Sequence, residues 1–228
     1  MITSKATNGT GMLAVFCDLE PQWHREFREW LRDDMIPARM KIGFLASASY
    51  DRIRDAADEH GGTEPFVTVY ETASIGDLYG APYQALRANR DQRDKDFHAR
   101  FINPARYTLS WVGPEVSRTD KAGFAPVVVF DRLDLPEVAV QEFNLWYVTK
   151  YLPLINAVPG IVRVRRYMAM EGSPRHVLMH EFDGQAPLGN PAWTEAHADL
   201  SEVLSPAARR TSGTYSRVLA AVRSGGDG

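Results

Sequence analysis

The side chains best able to move protons crowd one part of the 228-residue chain: Tyr167, His176, His180 and His197, with Trp193 one helical turn before the last. His176 and His180 lie an even number of residues apart in a β-prone run, which puts both on one side of a strand. Tyr167 belongs to the strand before it, and Trp193 and His197 to the helical stretch after it. Two imidazoles, a phenol and an aromatic wall suit proton transfer on a small, partly aromatic molecule. For any one of these histidines taken alone, the bland alternative of a scattered core or surface residue carries more weight. A shared metal ion does not follow, because residues four apart on a strand are about 13 Å apart, and no metal site is expected.

Further candidates lie upstream. Tyr151 ends a helical stretch that also carries Trp146, and its hydroxyl can donate a proton. Asp34 continues the apolar stripe of Phe27 and Leu31, so a carboxylate is expected to face inward there; the bland account pairs it with backbone or with Arg39. Tyr50, Tyr70, Tyr83 and His98 are the polar candidates of the first half. The reading assigns acid/base or orienting roles to Tyr151, Tyr167, His180 and Asp34. It assigns substrate contact to Trp146, Trp193, His176, His197, Tyr50 and Tyr70.

Several function classes lose support. With 26 basic and 29 acidic residues the formal charge is -3, which gives no electrostatic reason to seek nucleic acid or an anionic membrane. The single cysteine, Cys17, lies in an apolar run and reads as a small buried residue rather than a nucleophile. The chain contains no glycine-rich phosphate loop, no Cys-x-x-Cys, no His-Glu-x-x-His and no Gly-x-Ser-x-Gly. No cofactor is expected, and no histidine stands in a context that identifies a haem ligand. The polar start and the absence of a long apolar run predict a soluble, cytoplasmic protein without a membrane span.

These side chains need elements to hold them. Residues 12–17 read as a strand. A helix follows with Trp23, Phe27, Trp30 and Leu31 on one face and Pro37 as its expected end. Strands are expected at 43–50 and 66–71, joined by a charged, solvated connection over 51–63. Helical residues 79–88, a further helix around Phe97 and His98, and a strand at 107–112 complete a β-α-β-β-α-β order. After an aperiodic linker at 113–125 the order recurs. Residues 12–112 and 126–222 are therefore expected to form two units, with frayed ends at 1–10 and 224–228. Trp146 and Trp30, Phe143 and Phe27, and Pro153 and Pro37 are each 116 residues apart, the spacing of an internal repeat.

With Phe143, Trp146, Tyr147, Leu152, Pro153, Pro159, Gly160, Arg166 and Tyr167 in the second half, and Phe27, Trp30, Pro37, Gly43 and Tyr50 in the first, the chain resembles the dimeric α/β-barrel superfamily, and within it the EthD-like proteins. The resemblance covers nearly the whole chain. It implies an α+β fold in which two ferredoxin-like units pair their antiparallel sheets into one barrel, as a tandem duplication, with a ligand cleft between each sheet and its helices. It also implies further pairing into a homodimer. The family's usual histidine is replaced by Tyr151 in one half and Met35 in the other, so that role does not carry over, and Tyr151 weights the second half. The leading expectation is a cofactor-independent enzyme of secondary metabolism, a lyase or isomerase performing dehydration, cyclisation or isomerisation on a hydrophobic or aromatic small molecule. The alternatives are a non-catalytic small-molecule binding protein, a cofactor-free monooxygenase and a structural assembly module.

Overall fold

The computed structural model describes residues 2–3, 9–53, 64–204 and 208–223. Residues 54–63 of the solvated connection expected over 51–63, most of the expected frayed start and the end at 224–228 lie outside the described residues, and Asp51 and Arg52 extend the strand before them. In the first half, strand β2 (Gly11–Asp18) leads into α1 (His24–Trp30), a π-helical turn (Leu31–Met35) and α2 (Ile36–Lys41). Strands β3 (Ala46–Arg52) and β4 (Phe66–Thr72), helices α3 (Ala81–Ala88) and α4 (Gln92–Arg100), and β5 (Ile102–Trp111) follow. The second half repeats the order with β7 (Val127–Asp134), α5 (Val140–Trp146), a π-helical turn (Tyr147–Tyr151), α6 (Leu152–Ala157), β8 (Ile161–Glu171), β9 (His176–Phe182), α7 (Pro191–Val203) and β10 (Arg209–Val222).

Each half forms a four-stranded antiparallel sheet in the ferredoxin-like order, β5-β2-β4-β3 and β10-β7-β9-β8. The sheets join where β3 pairs with β10 and β5 with β8, which closes an eight-stranded barrel. Strand alternation then divides the side chains into two sets. Met12, Ala14, Phe16, Val67, Val69, Val128 and Phe130 fill the barrel interior, and the opposite parity packs beneath the helices as two further cores. The interior also holds a buried charge network. Arg165 bridges Glu71 (2.7 Å) and Glu181 (2.9 Å), and Arg163 binds Glu181 at 2.8 Å. Burial alone would raise the Glu181 carboxyl, but Arg163 and Arg165 hold it down at about 2.

Three local readings change. Pro37 and Pro153 do not end their helices. Each lies two residues after a π-helical turn, and the helix runs on through it. Chain reversal comes later, at Gly43 (φ 103°) and Gly160 (φ 74°), whose left-handed backbone favours glycine. The aperiodic stretch after β5 contains a short strand, β6 (Glu115–Ser117), which pairs with β8 and with β1 (Ile2–Thr3) at the start of the chain.

Candidate functional site

The two helix–sheet interfaces share a plan and differ in what fills them. In the second half the π-helical turn places both Tyr147 and Tyr151 inward, and Tyr151 Oη lies 2.7 Å from His180 Nε2. Burial drives the Tyr151 phenol well above its usual range, so it keeps its proton and donates it to Nε2. His180 then carries its own proton on Nδ1, which faces Asp131 Oδ2 at 3.5 Å, longer than a formed hydrogen bond. Burial outweighs the attraction of Asp131 and lowers His180 to about 4, so the imidazole is neutral. Tyr151, His180 and Asp131 are all fully buried.

Asp131 is the charged centre of this group. Burial would raise its carboxyl, but His197 and Arg210 hold it far below the usual carboxylate range. Arg210 Nε donates to Asp131 Oδ1 at 2.9 Å, and His197 Nε2 lies 3.2 Å from Oδ2. Trp193 stacks on the His197 ring at 4.7 Å, and Trp146 Nε1 donates to Asp199 at 3.0 Å. The result is a closed chain, Tyr151–His180–Asp131–His197/Arg210. Only His197 and Arg210 reach toward solvent.

In the first half the same interface is open. A cleft of about 310 Å³ runs between the β2, β4 and β5 face and helices α1 to α4, walled by Phe27, Trp30, Leu31, Met35, Tyr83 and Phe101. Tyr70 reaches it from β4, Arg106 from β5, His98 from α4 and Arg39 from α2. The positions 116 residues before Tyr151 and Asp131 are Met35 and Val15, and the position 110 residues before His180 is Tyr70; all three line the cleft. Where the second half packs a chain of buried polar contacts, the first half leaves space.

Its polar lining includes Arg39, Arg87, Arg90, Arg106, His98 and Tyr70. His98 Nδ1 is held by Asp94, 2.9 Å from Oδ1 and 2.7 Å from the main-chain oxygen, which leaves Nε2 as the basic nitrogen. Burial would raise the Asp94 carboxyl, but His98, Arg90 and Arg39 lower it. Tyr70 is pushed up to about 12 by burial and stays a neutral donor. Cys17 also lines the cleft, and burial drives its thiol upward, away from nucleophilic use.

The structure therefore divides the sequence candidates. Tyr151, His180, Trp146, Trp193 and His197 come together. Tyr167 and Tyr50 do not join them: both point into the barrel, because Tyr167 faces Val177 across the β8–β9 pair and so shares the parity opposite to His180. Tyr50 Oη donates to the Ala125 carbonyl at 2.9 Å. His176 packs against Phe143 near a surface groove, and Tyr70 belongs to the first-half cleft. Asp34 is turned outward, partly exposed, and pairs with Arg93 at 2.6 Å, because the π-helical turn shifts the helical phase and gives Met35 the inward position. Asp131 and Arg210 do not stand out in the sequence, and Arg39 figures there only as a partner for Asp34. Asp131 carries a signal, since it shares the alternate positions of Val127, Val129 and Leu133 in β7.

Among the described residues no three His, Cys, Asp or Glu side chains group as metal ligands, and both ring nitrogens of His180 face protein groups, leaving neither for an iron. No described helix is long and apolar enough to cross a membrane.

No family model matches the chain, and no curated protein matches it by sequence. Solved structures match it by fold. An anthrone oxidase-like protein is similar with a TM-score of 0.61 at 11% identity, over 98% of this chain and 97% of that one. A putative monooxygenase from Lactobacillus acidophilus gives 0.58 at 13% identity, over 94% and 97%. A chlorite dismutase from Candidatus Nitrospira defluvii gives 0.56 at 12% identity, over 92% of each chain. At these identities the likeness is one of fold.

Proposed function

We propose that this chain is a cofactor-independent enzyme that binds a hydrophobic or aromatic small molecule in the first-half cleft and begins its chemistry by removing a proton. The observation that carries this reading is the His98–Asp94 pair on the wall of an aromatic cleft of about 310 Å³. The Asp94 main-chain oxygen accepts from Nδ1 and fixes the tautomer, which leaves Nε2 free to take a proton, as a general base requires. Tyr70, kept protonated by burial, supplies a donor to the oxygen on which charge develops. The apolar walls exclude water from the anion so formed. Loss of a leaving group, ring closure or reprotonation at another carbon would complete a lyase, cyclase or isomerase reaction. In this reading the Tyr151–His180–Asp131 chain holds the second half together, and the catalytic roles assigned from sequence to Tyr151, Tyr167, His180 and Asp34 pass to His98 and Tyr70. Assignment to the EthD-like group within the fold rests on the motif residues alone.

A second reading begins with the same proton removal and ends with dioxygen attacking the electron-rich aromatic anion. It draws support from the anthrone oxidase-like and monooxygenase names of two fold neighbours. Incubating the protein with a panel of phenolic and 1,3-dicarbonyl aromatics, with and without oxygen, separates the two. Anaerobic turnover supports the lyase or isomerase reading, strict oxygen dependence supports the second, and stabilisation by ligand without turnover marks a binding protein. His98→Gln is expected to lower kcat by about 10²–10⁴-fold, the usual range for a general base. Unchanged turnover in that variant would overturn the assignment of His98.

A further inference from the structure

Arg39 extends from the last turn of α2 into the cleft wall and is 5% exposed. Its Nη1 donates to the Met35 carbonyl at 3.0 Å, its guanidinium lies 5.1 Å from the centre of the Tyr70 ring, and its Nε is buried with no hydrogen-bond acceptor. Asp94 feels its charge, since Arg39 helps to lower that carboxyl, but the nearby acids are paired with other groups. Asp34 binds Arg93, and Asp94 binds Arg90 and His98. The other cleft arginine on the sheet face, Arg106, binds Glu171 at 2.6 Å. Among the described residues no carboxylate stands within ion-pair distance of Arg39.

A buried guanidinium without a counter-ion is unfavourable unless a charge arrives to meet it. Its planar fork matches the two oxygens of a carboxylate or another delocalised oxyanion better than any neutral group. Around it the cleft offers Phe27, Trp30, Tyr83 and Phe101, flat walls for a ring system. We infer that the ligand of this cleft is an aromatic oxyanion whose charged end is held by Arg39 while its rings lie among the aromatic walls. The inference rests on the reading of the cleft as the binding site and adds the charge of the ligand and the residue that selects it. An anionic substrate anchored in this way would also keep Arg39 close to the charge that develops when His98 removes a proton.

The test compares 2-naphthoate with its neutral analogue 2-naphthamide at pH 7.5, by calorimetric titration of the wild-type chain, Arg39→Met and Arg39→Lys. Wild type is expected to bind the carboxylate about 10- to 100-fold more tightly than the amide, the usual worth of a hydrogen-bonded charge pair. Arg39→Met is expected to abolish that preference while amide affinity stays within about two-fold, since the apolar walls remain. Arg39→Lys is expected to restore part of it. Equal or weaker binding of the carboxylate by the wild-type protein overturns the inference and leaves the cleft reading standing, a result that requires no variant to fold. A preference that persists in a folded Arg39→Met protein overturns the role of Arg39. Binding of neither probe by the wild type overturns the cleft reading itself, and the inference with it.

Discussion

Tyr151 Oη and His180 Nε2 meet at 2.7 Å in a fully buried interface, and the residues at the matching positions of the other half, Met35 and Tyr70, stand on the wall of an open cleft. The two halves thus use one scaffold in opposite ways. In one, buried polar residues line up against each other beneath the helices. In the other, apolar residues withdraw and the remaining polar groups face the space between them.

Tyr151→Phe is expected to destabilise the fold by about 1–3 kcal/mol, because it leaves the buried His180 Nε2 without a donor. Urea unfolding measures this, read as a shift in midpoint at constant slope. Binding of an aromatic ligand in the first-half cleft should be unaffected. Reduced binding in the folded variant would place the Tyr151 pair in the functional machinery.

Stability is expected to fall as pH drops from about 6.5 toward 4. His180 has an ordinary value of 6.5 and a folded value of about 4, so between these limits the unfolded chain binds the proton and the folded one does not. Stability therefore rises with pH across this window, and His180 contributes on the order of 2 kcal/mol to the change between pH 6.5 and 5. His176, also lowered by burial, adds in the same direction. Glu181 acts in a more acidic window, from 4.5 down to about 2. Unfolding midpoints at pH 7.5 and 5 should differ less in His180→Gln than in the wild type; an equal difference would show that His180 is not the group responsible.

Met35→Tyr places in the first half the side chain that closes the second. The ring should occupy the cleft, weakening the binding of an aromatic ligand by more than about tenfold, with a stability change within the roughly 1–3 kcal/mol typical of overpacking. Ligand titration with a parallel unfolding curve distinguishes this from loss of fold. Retained affinity would show that the ligand lies elsewhere.

The architecture could be read from the chain because its signals are periodic. Alternation at residues 66–71 and the apolar stripe of Phe27, Trp30 and Leu31 identify strand and helix without reference to anything distant. The barrel also followed, since two ferredoxin-like units have sheets to pair. What failed to show was phase and register. A regular helix would put Asp34 inward, and nothing local announces a π-helical turn. Tyr167 stands near His180 in the chain, and only the pairing of Tyr167 with Val177 reveals that they face opposite sides of the sheet. Strand β6 is three residues long and too short to show a period. Arg39 does not stand out, because an arginine in the last turn of a helix ordinarily reads as solvated.

The π-helical turn at Leu31–Met35 has a consequence for Arg39. Phe27, Leu31, Met35 and Arg39 follow one another at intervals of four, and in a regular helix each such step overshoots by about 40°, so that Arg39 would end roughly 120° away from Phe27. The wider turn takes up much of that drift and returns the guanidinium to the side of the helix that looks onto the sheet. Wound as a regular helix at the same length, this segment could leave every strand in place and still swing the cation out to water. On this scaffold the winding of a single turn decides whether the arginine faces solvent or an anion, and selectivity for a ligand could be gained or lost there with no exchange of the side chains that line the cleft.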